Sequence, residues 1–112
     1  MWTVETLNQL VDGEVEQLPA DMRARLVRIG SIIEAVGFDG LPVDTIKHLE
    51  DKLWELRLRG RNGIARAIYV TAVQRRVVIV RVFVKKTQKT PKKDIDKAAT
   101  RLSELDKERK NG

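Results

Sequence analysis

Three stretches decide the fold: LWELRLR (Leu53–Arg59), IARAIYVT (Ile64–Thr71) and VVIVRVFV (Val77–Val84). In the first, Trp54, Leu56 and Leu58 alternate with Glu55, Arg57 and Arg59, the period of two that marks a strand with one buried face. Gly60-Arg61-Asn62-Gly63 divides it from the second stretch and reads as a turn, with Gly63 able to take a positive φ. Gln74-Arg75-Arg76 marks a second turn. The third stretch is the most apolar and is the expected centre of the sheet. Three runs so closely spaced predict an antiparallel meander.

Upstream, Trp2-Thr3-Val4 reads as a short opening strand. Leu7, Leu10, Val11, Val15 and Leu18 then recur at helical spacing, and Met22, Leu26, Ile29, Ile33 and Val36 do so again. Pro19 is expected to end the first helix, Asp21 to cap the second, and Gly37 to stand just past its end. The short link makes the two helices an antiparallel hairpin. Residues 38–51, with Gly40, Pro42 and Asp44, read mostly as loop, which places His48 in a loop.

Downstream, Lys85–Lys93 (KKTQKTPKK) leaves the sheet. Thr90 and Pro91 have the character of an N-cap and first helical residue. Ile95, Ala98, Ala99, Leu102 and Leu105 give a last helix its apolar stripe, and residues 107–112 are expected to fray. The expectation is one α+β domain over residues 1–112: β-α-α-β-β-β-α, two N-terminal helices packed on a small, mainly antiparallel sheet, with a C-terminal helix.

Composition narrows the chemistry. The 112 residues carry 22 Lys+Arg against 16 Asp+Glu, a net charge of +6, with no cysteine and one histidine. Disulfide frameworks, thiolate metal sites and cysteine nucleophiles are excluded together, and neither metal nor cofactor is expected. No apolar run approaches a membrane span. The N-terminus lacks the basic start and apolar stretch of a signal peptide, so a cytoplasmic protein is expected.

The charge is polarised along the chain. Residues 1–51 hold 4 basic and 10 acidic side chains, a net of −6, and residues 52–112 hold 18 and 6, a net of +12. From Arg57 to Lys93 there are 12 basic residues and no acidic one. A one-sign block within a patterned, apolar segment is a folded surface with a positive field, and its usual partner is phosphate.

Arg57, Arg66 and Arg81 lie inside strands, where an unpaired guanidinium is costly. Glu55 is the only acid in the three strands, so some of these arginines are expected to face an open polar groove. Trp2 and Trp54 are expected in the core, and Tyr69 suits either core or groove. The few aromatics argue against a stacking platform of the RNA-recognition-motif kind. Asp94 and Asp96 suit the start of the last helix and lack the acidic company a metal needs. RNA can be cleaved without metal: its 2′-OH attacks the adjacent phosphate, leaving a cyclic phosphate and a 5′-OH end. Arginine stays charged and binds phosphate oxygens bidentately, which suits it to the phosphorane.

Leu53-Trp54-Glu55-Leu56-Arg57, Gly63-Ile64-Ala65-Arg66 and Phe83-Val84-Lys85-Lys86-Thr87-Gln88-Lys89-Thr90-Pro91 closely resemble the phage-derived, HigB-like branch of the RelE/ParE toxin superfamily. The resemblance covers residues 1–105. It implies a RelE-like fold, endoribonuclease cleavage of mRNA, often at the ribosome, and inhibition by a small antitoxin, commonly a helix-turn-helix protein. It assigns catalytic positions to Arg66, at the scissile phosphate, and to Arg57 and Lys86. Arg59, Arg81, Lys85, Lys89, Lys92 and Lys93 are the expected RNA-binding residues around them. The alternatives are a non-catalytic nucleic-acid-binding module and a ParE-like toxin that inhibits gyrase.

Overall fold

The computed structural model describes residues 1–85 and 89–111, with side chains as far as Leu105. The chain runs β1 (Thr3–Thr6), α1 (Gln9–Glu16), α2 (Ala20–Val36), β2 (Ile46–Glu50), β3 (Leu53–Gly60), β4 (Gly63–Ala72), β5 (Arg76–Lys85) and α3 (Lys92–Asn111). A single 3-10 turn, Phe38–Gly40, follows α2. The strands form one sheet in the order β1-β5-β4-β3-β2, antiparallel except where β1 runs parallel to β5. The α+β class, the helical hairpin, the meander and the last helix stand as the sequence predicts.

Several local expectations are corrected. Ile46–Glu50 is an edge strand, so His48 is not in a loop; its ring lies 4.7 Å from that of Trp54, its cross-strand partner. Trp54 is consequently 40% exposed and outside the core. The central strand is β4, with β5 second from the edge. Asp21 is not the N-cap of α2, a place that falls to Pro19 with no side-chain cap; it lies inside the first turn, where its Oδ1 accepts the Met22 N–H at 2.9 Å. Its other oxygen accepts the Arg61 N–H at 2.7 Å and so ties the β3–β4 turn to α2. That bond holds the Asp21 carboxyl below its ordinary range. Thr90 likewise does not stand at the N-cap of α3: the helix begins at Lys92, and the Thr90 hydroxyl donates to Glu55. Asn8 is the residue that caps α1, accepting the Val11 N–H at 3.1 Å.

The sheet separates two apolar layers. On one face Leu56, Leu58, Ala65, Ala67, Tyr69, Val77, Ile79 and Val82 pack against Val11, Leu18, Met22, Leu26, Ile29 and Ile33 of the hairpin. Tyr69 is settled as a core residue: it is 3% exposed, stacks on Phe38, and burial pushes its hydroxyl pKa up. On the other face Leu53, Ile68, Val70, Val78 and Val80 meet Ala98 and Leu105 of α3. This second layer is narrower, and α3 leaves the far end of its face, towards the β3–β4 turn, to polar residues.

Gly63 sits at φ +147° and Gly37 at φ +80°, both in the region that favours glycine. Gly60, paired with Gly63 across the turn, is needed for space: a Cβ there would stand 2.7 Å from Met22 Cγ.

Candidate nucleic-acid interface

Ladder register builds the site. Arg57 is directly opposite Arg66, and Arg66 is opposite Phe83. One step towards the turn, Arg59 is opposite Ile64, and Ile64 is opposite Lys85. One step the other way, Glu55 is opposite Ile68, and Ile68 is opposite Arg81. Residues opposite one another share a face. These three rows therefore lie together on the α3 side of the sheet, because Ile68 and Phe83 belong to that layer.

The strand arginines fare differently from the expectation of an open groove. Arg66 is 1% exposed, and its Nη1 donates to Glu55 Oε2 at 3.2 Å. The other Glu55 oxygen accepts the Thr90 hydroxyl at 2.8 Å. Glu55 thus joins β3, β4 and the approach to α3, and it balances the most deeply buried guanidinium among the described residues. Arg57 is half-buried and forms no ion pair among the described residues, and its buried Nε has no hydrogen-bond partner.

Arg81, expected among the RNA-binding residues, has its guanidinium engaged inside the protein rather than facing an open groove. It pairs with Glu14 of α1 and, at 3.0 Å, with Asp94 of α3. Arg101 of α3 donates to both Glu14 oxygens at 2.9 Å and to the Val80 carbonyl at 2.8 Å. Glu14 also accepts the Val82 N–H at 3.0 Å. The β4–β5 ladder explains this arrangement. Ile68 is opposite Arg81 but Tyr69 is opposite Ile79, so Val80 is an extra residue in a β-bulge. Arg101 satisfies the carbonyl that the bulge frees. Burial raises the Glu14 carboxyl, but the bonds from Arg101, the Val82 N–H and Arg81 outweigh it and leave its pKa lowered.

The remaining candidates divide. Arg59 is exposed, and neither it nor Lys85 or Lys93 forms an ion pair among the described residues. Lys92 is exposed but pairs with Glu50 at 3.2 Å and Asp96 at 3.3 Å, and the Glu50 bond leads in raising its pKa. Lys89 is exposed and already engaged within the chain. Lys86 lies outside the described residues. Lys85 and Lys93 line a depression of about 270 Å³ with Arg81, Phe83, Val84, Pro91 and Asp94.

The register thus places Arg57, Arg59 and Lys85 on one face of the sheet, with Arg66 between Arg57 and Phe83, and Lys93 shares the depression with Lys85. Sequence reasoning missed the pairings of Glu14 and Asp94 with Arg81. No group of three or more His, Cys, Asp or Glu placed to hold a metal occurs among the described residues.

The family described as "Phage derived protein Gp49-like (DUF891)" matches residues 13–103. No curated protein sequence matches the chain. Among solved structures the chain is similar to the archaeal RelE–RelB complex from Pyrococcus horikoshii OT3. The TM-score is 0.52 and the identity 19%, over 74% of this chain and 93% of that one. The likeness establishes a RelE-like fold, as the resemblance implied. No described helix is long and apolar enough to cross a membrane.

Proposed function

Because this chain is a member of the phage-derived Gp49-like family, we propose that it is the toxin of a toxin–antitoxin pair and acts as a metal-independent endoribonuclease on mRNA. The observation that carries this reading is the Arg57–Arg66 cross-strand pair with its single carboxylate. Like charges directly opposite are destabilising. Glu55 relieves one member only, so the pair keeps one net positive charge at a half-buried position where a phosphate can supply the missing anion.

Arg57 is the group that meets the scissile phosphate. Its planar donors match two non-bridging oxygens and stabilise the charge that builds on the phosphorane. Arg66 lies behind it, held by Glu55, and keeps the local potential positive. Arg59, Lys85 and Lys93 bind flanking phosphates and fix the backbone for in-line attack. The 2′-oxygen then bonds to phosphorus as the P–O5′ bond breaks. The 2′-hydroxyl loses its proton, the 5′-oxygen gains one, and the products are a 2′,3′-cyclic phosphate and a 5′-OH. Lys86 is retained as a third basic position on the strength of the sequence resemblance.

A small antitoxin is the inferred partner, since the similar RelE is described in complex with RelB. The ribosome is a second inferred partner, from the resemblance alone. Inducing the protein in cells and mapping RNA ends tests the reading. New 5′-OH ends within mRNA are expected, and they should vanish in Arg57→Ala and on co-expression of the neighbouring gene's product. Binding without cleavage would identify a non-catalytic module instead.

A further inference from the structure

We propose that the depression beside Phe83 is a nucleobase subsite, in which one base of a bound RNA stacks on the Phe83 ring and donates an amino N–H to Asp94. The proposal rests on the RNA-binding reading above and deepens it by naming what the site takes besides phosphate.

Phe83 is the only aromatic in the three cationic rows, and it is incompletely buried although it lies in the middle of the most apolar strand. It completes the row of Arg57 and Arg66, so a backbone held at Arg57 runs within reach of the ring. The Arg81 guanidinium lies over one face of the ring, 5.5 Å from its centroid, so a base would stack on the opposite face. The depression next to the ring, about 270 Å³, is below the ~300–1,000 Å³ of sites for drug-sized ligands and suits a single ring system.

The polar lining is independent of the ring and points to the same ligand. Asp94 is 3% exposed and is the only carboxylate lining the depression. Both of its contacts with Arg81 are made through Oδ1. Oδ2 is neither bonded to Arg81 nor fully enclosed, and a sheltered acceptor open to the depression favours a ligand that brings a donor. Lys85 and Lys93, at the rim, supply positive charge for the phosphates on either side of the base. An aromatic face, one acceptor and two cations together recognise a single-stranded nucleotide. Adenine, guanine and cytosine carry an exocyclic amine to give Asp94, whereas the only Watson–Crick-edge donor of uracil, N3–H, is flanked by two carbonyl oxygens that a carboxylate repels. The site should therefore discriminate against uracil.

The test uses a short 2′-O-methyl RNA, which has no 2′-OH to react, with a single 2-aminopurine in a run of uridines and a label at one end. Anisotropy of the label reads binding, and the fluorescence of 2-aminopurine reads stacking. With the full chain, binding should quench the base, and an all-uridine strand should bind roughly ten-fold more weakly, the scale of one lost hydrogen bond to a charged group. Phe83→Leu keeps apolar volume against α3; it should abolish the quench and reduce affinity to that of the all-uridine strand. If the base stays bright in the wild-type complex, or Phe83→Leu changes neither signal while Arg57→Glu abolishes binding, the subsite is wrong and the RNA-binding reading stands. If no strand binds, both fall.

Discussion

Arg57 and Arg66 face each other across the β3–β4 ladder, and of the two only Arg66 is bonded to the carboxylate of Glu55. The two arginines are consequently not equivalent. Arg66 is enclosed and balanced, whereas Arg57 is half-buried and has no carboxylate partner among the described residues. The predictions below follow from that asymmetry and from the ion network on the other side of β5.

Arg57→Ala should leave the fold intact and lower RNA cleavage by roughly two to three decades, the scale of one lost transition-state donor. Arg57→Lys should recover only part of the loss, because an ammonium cannot reproduce the planar fork. Single-turnover rates, with circular dichroism to confirm folding, decide the matter; an Arg57→Ala protein as fast as wild type excludes Arg57 from the reaction.

Glu55→Gln should cost about 3–5 kcal/mol in denaturant unfolding, because it removes the carboxylate that balances the Arg66 charge in the interior. The pair Glu55→Leu with Arg66→Met should regain most of that stability, since apolar groups of similar volume often replace a buried ion pair without loss. Equal stability of Glu55→Gln and wild type would show that the pair is not buried in solution.

Glu14 sets a pH dependence. Its folded pKa lies below the unfolded value, so the stability it confers is complete above the ordinary carboxylate range and is lost as pH falls through the folded value. Glu14→Gln should therefore be less stable than wild type at neutral pH, and the difference should shrink in acid. Unfolding free energies of the two proteins from neutral pH down to pH ~3 measure this; a difference that grows on acidification contradicts the network.

Gly63→Ala should destabilise by about 1 kcal/mol or more, because alanine is strained at φ +147°. Melting curves of the variant read it directly, and an unchanged melting temperature would mean that the turn takes another conformation in solution.

The meander and the helical hairpin were legible because their apolar spacing is regular: Leu56 and Leu58 alternate cleanly, and Met22, Leu26, Ile29 and Ile33 keep one stripe. β2 was not, because Lys47, His48 and Glu50 break alternation and the ladder shifts register between His48 and Glu50. The site was legible only in its sign. The acid-free stretch from Arg57 to Lys93 marks the basic half, but folding brings acids to it from the other half. Glu5 pairs with Arg76, Glu14 with Arg81 and Arg101, and Glu50 with Lys92. Such pairings span up to 87 residues and leave no mark in local sequence. Only Glu55, the single acid among the three strands, signalled that one arginine would be balanced from nearby.

RNA binding should follow the four cations left over. With Arg57, Arg59, Lys85 and Lys93 each neutralising a phosphate, log affinity against log salt should have a slope of about −3, and removing Arg57 should make it shallower by about 0.7. A slope near zero would mean that this face does not bind the backbone.

The most direct measurement is cleavage of a short RNA by the purified protein in excess EDTA, beside the same strand with one 2′-deoxy nucleotide at the cleaved position. The expected result is a 2′,3′-cyclic phosphate and a 5′-OH end from the first strand, no cut at the substituted position in the second, and loss of both products in Arg57→Ala. Cleavage that needs a divalent metal, or that proceeds past the 2′-deoxy position, would contradict 2′-OH attack stabilised by arginine.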